Sequence, residues 1–266
     1  MPSARRDAAA IVLAGGMSSR MGEAKALLDW HGTPLVCRVA GILTRVCAPV
    51  IVVAAAGQEL PLPGGVERAT DAAPQRGPLE GIAAGTRALA GRAGAVFLAA
   101  TDLPLLHPAF VAGLVDELPG YDVAVPVLGG HDQTLAAAYD AAVLRRAPEL
   151  LAAGRPRVAA LLDGARVHRL DPDDLDEPDS IRSVNTRAEY AELRALPQPL
   201  VTVVVAGHAP ATIAAATLGA AIGIVWPAGP PPGVVATVNA AGLAVDPGFP
   251  LVRGDVVELR VAVTPA

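Results

Sequence analysis

Ile11-Val12-Leu13-Ala14-Gly15-Gly16-Met17-Ser18-Ser19-Arg20-Met21-Gly22, with Lys25 close behind, runs an apolar strand straight into a glycine-rich turn that ends in fixed positive charge. Glycines permit positive φ and let backbone N–H groups approach an anion, while Arg20 and Lys25 neutralise charge that the amides cannot. The stretch predicts a phosphate-holding turn at the carboxyl end of a strand. Its spacing excludes two common alternatives. A Walker loop ends in Gly-Lys-Ser/Thr, whereas Gly22 is followed by Glu23, and Gly15-Gly16-Met17 does not supply the G-x-G-x-x-G of a dinucleotide fingerprint.

Outward from this turn, apolar runs at 9–14, 50–55, 95–100 and 122–127 alternate with segments of helical length at 34–47, 78–91, 108–118 and 140–153. That alternation predicts an α/β fold, a mainly parallel, Rossmann-like sheet with helices on both faces. Pro34, Pro78 and Pro108 each fall near the start of an expected helix, where a missing N–H does no harm. Open sheets of this kind bind ligands beyond the carboxyl ends of their strands. Gly15 and Asp102 each follow a strand, so the two motifs are expected to converge on one cleft.

Composition limits the classes of function. Hydrophobic residues make up 52% and charged residues 18%, which indicates a globular chain, and aromatics at 3% leave the core to Ala, Val and Leu. A net charge of −5 argues against a nucleic-acid-binding surface, and no apolar run reaches membrane-spanning length. Ala8 to Ala14 is too short for a secretory h-region, so a cytoplasmic protein is expected. Cys37 and Cys47 lack a second metal-spaced pair and are expected to be buried thiols.

The helical pattern stops near Leu196. Residues 1–196 are therefore expected to form one domain, 197–199 (Pro-Gln-Pro) a linker, and 200–266 a second domain. In the latter, Leu200 to Ala206 is strand-like, Pro210 to Ala221 is expected to be helical, Pro227 to Gly233 is a break, and 234–238 and 256–263 are paired strand candidates.

The run LAGGMSSRMGEAKALL resembles the signature of sugar-nucleotide-type nucleotidyltransferases and, within them, of molybdenum cofactor guanylyltransferases. Asp71 with Arg76-Gly77-Pro78-Leu79-Glu80-Gly81-Ile82, then Thr101-Asp102-Leu103-Pro104, then Val184-Asn185-Thr186, follow in the order that family shows, over about residues 8 to 192. The stretch from Val238 to Leu259 is similar to the last half of a β-grasp sulfur carrier, the small subunit of molybdopterin synthase. Such carriers end in Gly-Gly, whereas this chain ends Thr264-Pro265-Ala266, so the resemblance implies docking on molybdopterin-synthesising or molybdenum-inserting enzymes rather than sulfur transfer.

The first resemblance implies transfer of GMP from GTP to the phosphate of molybdenum-bound molybdopterin, with Mg²⁺ as cofactor and pyrophosphate released. Leu13, Ala14, Gly15, Gly16, Lys25, Asp71, Gly77, Pro78, Leu79 and Asp102 would then bind the nucleotide, and Arg20, Lys25 and Asp102 would carry catalysis. Arg20 either crosses to a substrate phosphate or pairs with Asp29 or Glu23. Asp102 either holds the metal, as a carboxylate beside nucleotide phosphates does, or serves as an N-cap or Asx-turn acid before Pro108. Asp71 and the loop after it would lie over the nucleoside, where a carboxylate or backbone carbonyls can accept from guanine N1–H and N2–H; otherwise Asp71 is simply a strand-end acid.

On the acceptor side the resemblance places Gln133, in Gln133-Thr134-Leu135 where the family has Gln-Pro-Leu, and Asn185, which either lines the pterin side or caps the following helix. His31, His107, His131, His168 and His208 show no metal-ligand spacing, and only His131 falls near that acceptor side. One departure stands out: family members often carry an Asn after the second strand, and this chain has Ala54-Ala55-Ala56-Gly57. An acceptor phosphate is already nucleophilic at neutral pH, so the chemistry asks for positioning and charge stabilisation and no general base. Cytidylyl transfer to the same pterin is the nearest alternative; relatives of that kind tend to read Leu-Ala-Ala-Gly at 13–16 and to lack Gly77-Pro78-Leu79. A sugar-1-phosphate nucleotidyltransferase and a non-catalytic docking module are the others, the last opposed by the intact Gly15, Lys25 and Asp102.

Overall fold

The computed structural model describes residues 7–15, 24–71, 73, 76–243 and 246–261. Gly16, Arg20 and Gly22 lie outside the described residues, as does the terminal Thr264-Pro265-Ala266. The chain divides into two compact units: one holds the segment up to Leu28 with Pro34–Tyr190, and the other holds Asp29–Thr33 with the chain from Ala191.

The larger unit is built on seven strands: β1 (Ala8–Leu13), β2 (Val50–Ala55), β3 (Val66–Asp71), β4 (Ala95–Ala100), β5 (Val123–Leu128), β6 (Ala136–Asp140) and β7 (Val167–Leu170). They lie in the order β7-β5-β6-β4-β1-β2-β3, and the two-residue strand His131–Asp132 pairs with β5 off this path. β1 is parallel to β2 and to β4, β2 to β3, and β5 to β7, while β6 runs antiparallel to β4 and β5. β1 is buried along its whole length, as a strand covered on both faces must be.

Among the described residues the helices from Leu35 to Arg194 are α1 (Leu35–Leu43), α2 (Pro78–Leu89), α3 (Pro108–Asp116), α4 (Ala141–Leu144), α5 (Ala147–Ala152) and α6 (Arg187–Arg194), the last running across the division at Ala191. Ile11, Leu13, Val53, Val96 and Leu98 share one core with α2, α4 and α5, and α1 and α3 cover the other face. Two glycines let α2 approach the sheet. A Cβ at Gly85 would lie 2.7 Å from Ile11 Cγ2, and one at Gly81 would lie 3.1 Å from Leu13 Cδ2. Close packing here brings the N-terminal turn of α2, with Gly77 and Pro78, to the carboxyl edge of the sheet.

The sequence and the structure differ in identifiable places. The helix expected over 140–153 is two helices, because Pro148 in the first turn of α5 has no N–H to continue the ladder from α4. β3 carries no apolar run, because Glu67 and Arg68 leave it polar and exposed at the sheet edge. β6 is alanine-rich and reads as helix by propensity, but pairing with β4 and β5 overrides that preference. Cys37 and Cys47 are buried. No helix among the described residues is long and apolar enough to cross a membrane.

The smaller unit contains β8 (Leu200–Val205), β9 (Ala211–Ala214), helix α7 (Leu218–Val225), β10 (Val234–Val238), β11 (Ala241–Leu243) and β12 (Val256–Val261). Its strand order is β9-β8-β12-β10-β11, with β8 parallel to β12. Val201, Val203, Leu218, Ile222, Val257 and Leu259 form its own core. The expectation of helix from Pro210 to Ala221 is corrected. Residues 211–214 pair with β8 through Val201 and Ile213, and α7 starts later, where Thr217 Oγ1 accepts from the Ala220 N–H at 3.2 Å. β-branched Thr212 and Ile213 suit the strand, and the hydroxyl cap fixes where the helix starts.

Candidate functional site

Lys25 opens a single 3-10 turn, Lys25–Leu27, just beyond the glycine stretch. Its Nζ donates to Asp102 Oδ2 at 3.1 Å and to Asn185 Oδ1 at 2.9 Å. The Lys25 and Asp102 side chains retain 22% and 19% exposure, so the pair is sheltered yet open to a ligand. Three motifs widely separated in the chain thus meet at one ammonium group.

Asp102 follows β4 and sits in a turn whose backbone is held from two sides. The Asp102 carbonyl accepts from the Val184 N–H at 2.9 Å, and the buried Arg38 of α1 donates through Nε to the Pro104 carbonyl. The side chain of Asp102 does not cap the next helix: His107 does, its Nδ1 accepting from the Ala109 N–H at 3.1 Å. Its carboxylate instead faces Lys25.

Asn185 is likewise no cap. Thr186 Oγ1 accepts from the Glu189 N–H at 3.2 Å, and Glu189 Oε2 accepts from the N–H groups of Asn185 and Thr186, both at 2.7 Å. This reciprocal arrangement is a capping box, legible in Thr186-x-x-Glu189 although the sequence reading passed over it. The Asn185 N–H, with Thr186 and the Lys25 charge, holds the Glu189 carboxyl below its ordinary range. With Thr186 and Glu189 closing the helix end, the Asn185 amide turns to Lys25 and donates through Nδ2 to Ser183 Oγ at 2.9 Å.

The residues expected around the nucleoside are placed differently from one another. Leu13, Ala14 and Leu79 are buried, Leu13 and Leu79 within the core, so they offer a ligand only backbone groups. Asp71 ends β3, is buried, and accepts the Ala73 N–H at 2.8 Å. Gly77 takes φ +96°, which favours glycine, directly before Pro78. Gly15 does not itself adopt positive φ, and its backbone passes close to Ala54 and Ala55. Past the end of β2, Gln58 reaches back to the Ala55 N–H and the Ala14 carbonyl. Sequence reading looked for a polar residue immediately after the strand and missed one folded back by a turn.

Asp102 and Gln133 line the same pocket, of about 230 Å³, with Asp132, Thr134 and Ser183. Thr134 and Leu135 also border a larger pocket of about 810 Å³, which Gly77, Pro78, Arg76 and Arg157 line on its other sides. Gln133 is set by its own N–H to the Pro126 carbonyl, at 2.9 Å, and through Nε2 to the His131 carbonyl, at 2.9 Å. The buried Tyr139 hydroxyl donates to the Thr134 carbonyl at 2.8 Å, and burial pushes its pKa up, which keeps it a donor. His131 itself is exposed.

This geometry sets one ammonium group beside one carboxylate, a pair able to meet an anionic ligand and a hard cation. Among the described residues no group of three or more His, Cys, Asp and Glu could hold a metal by itself.

Residues 10–169, more than half of the chain, match the family described as the MobA-like NTP transferase domain. A probable molybdenum cofactor guanylyltransferase of Pelotomaculum thermopropionicum is 35% identical over 194 residues, covering 71% of this chain and 93% of its own length. One from Mycobacterium tuberculosis is 40% identical over 168 residues, 61% of this chain and 82% of the relative. Among solved structures, molybdopterin-guanine dinucleotide biosynthesis protein A of Archaeoglobus fulgidus aligns with a TM-score of 0.56 at 20% identity, over 70% of this chain and 96% of that one, a likeness of fold. Family match, relatives of high coverage and shared fold agree: the chain belongs to the MobA-like NTP transferase family.

Proposed function

We propose that the chain transfers GMP from GTP to the terminal phosphate of molybdenum-bound molybdopterin. The observation that carries this reading is the meeting of Lys25, Asp102 and Asn185 at the carboxyl edge of the sheet, one residue from each of three motifs. An oxygen of the acceptor phosphate attacks the α-phosphorus of GTP, the bond from that phosphorus to the β-phosphate bridging oxygen breaks, and pyrophosphate leaves. Lys25 neutralises charge that grows on the leaving group, and the N–H groups of Gly15 and Gly16, which follow Leu13-Ala14 in the sequence, hold the phosphates. Arg20, five residues before Lys25 in the sequence, assists in neutralising phosphate charge.

Asp102 fits Mg²⁺ as a single-carboxylate ligand: its Oδ2 already holds the Lys25 cation, and magnesium at a nucleotide typically takes one or two carboxylates and completes its shell with phosphates and water. Bound there, Mg²⁺ would supply charge neutralisation at the phosphates. Asp71 and the Gly77-Pro78-Leu79 backbone read the guanine. Gln133 and Asn185 lie toward the acceptor, Gln133 in the pocket that contains Asp102 and Asn185 through Ser183, which lines it too.

The domain division proposed is 1–196 for transfer, 197–199 as linker and 200–266 as a β-grasp-like module. Its support is the order β9-β8-β12-β10-β11 around the parallel pair β8 and β12, the arrangement of a β-grasp sheet. This module would dock a cytoplasmic enzyme that makes molybdopterin or inserts molybdenum. Competition between labelled GTP and CTP, with Mg²⁺ and molybdenum-loaded molybdopterin, tests the transfer reading. Label from GTP in the dinucleotide product is expected, and equal or greater incorporation from CTP would overturn the guanine assignment.

A further inference from the structure

A tight turn after β2 carries a polar side chain back onto two strand ends. The Ala55 carbonyl accepts from the Gln58 N–H at 3.1 Å, and Gly57 takes φ +75°, the left-handed conformation that such a turn reserves for glycine. The reversal lays the Gln58 amide across β1 and β2: Oε1 accepts from the Ala55 N–H at 3.0 Å and Nε2 donates to the Ala14 carbonyl at 3.3 Å. Arg68 donates to the Gln58 carbonyl, which fixes the turn from the side of β3.

The last backbone bond between these strand ends joins the Ala14 N–H to the Val53 carbonyl at 2.8 Å. Next to it the Gln58 amide continues the ladder by one side-chain bridge. Gly15 lies at this point, where a Cβ would stand 3.4 Å from the Ala55 nitrogen. The bridge therefore holds the Ala14-Gly15 backbone just past the end of β1.

We propose that Gln58 is a positioning residue for the nucleotide. Its amide sets the direction of the Ala14-Gly15 backbone before the nucleotide arrives, a pre-organisation that lowers the cost of binding. The inference rests on the nucleotidyl-transfer reading and extends it to a residue outside the four motifs. Because it concerns ground-state binding, its loss falls on KM for GTP and leaves kcat.

Gln58→Met keeps the length of the side chain and removes both bonds, whereas Gln58→Glu keeps an acceptor for the Ala55 N–H but loses the donor to Ala14. In a pyrophosphate-release assay at saturating acceptor, KM for GTP should rise about tenfold in Gln58→Met with kcat within about twofold of wild type, the signature of lost uniform binding. Gln58→Glu should raise KM at least as far, since its carboxylate faces a carbonyl. The melting temperature of both should stay near that of wild type. A Met variant with unchanged KM, or with its loss in kcat or melting temperature, overturns the inference. Wild-type protein without GTP turnover overturns the underlying reading, and the inference with it.

Discussion

Lys25 Nζ and Asp102 Oδ2 stand 3.1 Å apart although 77 residues separate them in the chain. The contact exists because β1 and β4 are parallel neighbours, so the segments that follow them leave the same edge of the sheet. A lysine paired in this way neutralises the carboxylate, and in the proposed function it is the group that meets phosphate. Asn185, on the other side of Lys25, fixes the ammonium without adding charge.

Lys25→Ala should lower guanylyl transfer by at least about tenfold to a hundredfold, the scale of one charge-assisted contact in a sheltered site. Its melting temperature should change little, since the lysine packs no core. Steady-state turnover with a thermal melt checks both. Wild-type turnover in the variant would place the phosphates elsewhere.

Gly85→Ala tests the approach of α2 to the sheet. A methyl there would stand 2.7 Å from the stiff, β-branched Ile11, so helix or strand must shift, at a cost of about 1–3 kcal/mol for overpacking. Denaturant unfolding should show that loss. Equal stability would mean that α2 is free to lift from β1.

Much of this fold is legible in the sequence because its interior strands are continuous apolar runs, and burial on both faces leaves them no alternative. The strands at 66–71 and 136–140 are not, the first because its edge position leaves Glu67 and Arg68 in water, the second because alanines carry no strand signal of their own. At the site, Asp102 stands out because it closely follows a strand end, and Lys25 because it closely follows the glycine-rich stretch. Gln58, Ser183 and Arg38 do not, because their contacts depend on a turn reversal or on tertiary contact across the chain. The partner of Asn185 is a tertiary fact too, since spacing alone leaves it free to cap α6.

Glu189 gives a pH signature. Its folded pKa lies below the ordinary value of 4.5, first because of the Asn185 N–H, so the folded state binds fewer protons than the unfolded chain in that window. Its stabilising contribution is present above the ordinary value and is lost as pH falls through the lowered one. The stability difference between wild type and Glu189→Gln should therefore shrink on acidification. A difference independent of pH below about 5 would separate the capping box from this titration.

The most direct measurement is pyrophosphate release from GTP with molybdenum-loaded molybdopterin as Mg²⁺ is titrated, in wild type and in Asp102→Asn. The substitution preserves shape, but an amide oxygen is a far weaker magnesium ligand than a carboxylate. Wild type should release pyrophosphate in a Mg²⁺-dependent manner, and Asp102→Asn should lose most of that activity together with its response to the metal. An Asn variant that releases pyrophosphate at the wild-type rate along the same Mg²⁺ curve would contradict the assignment of this site.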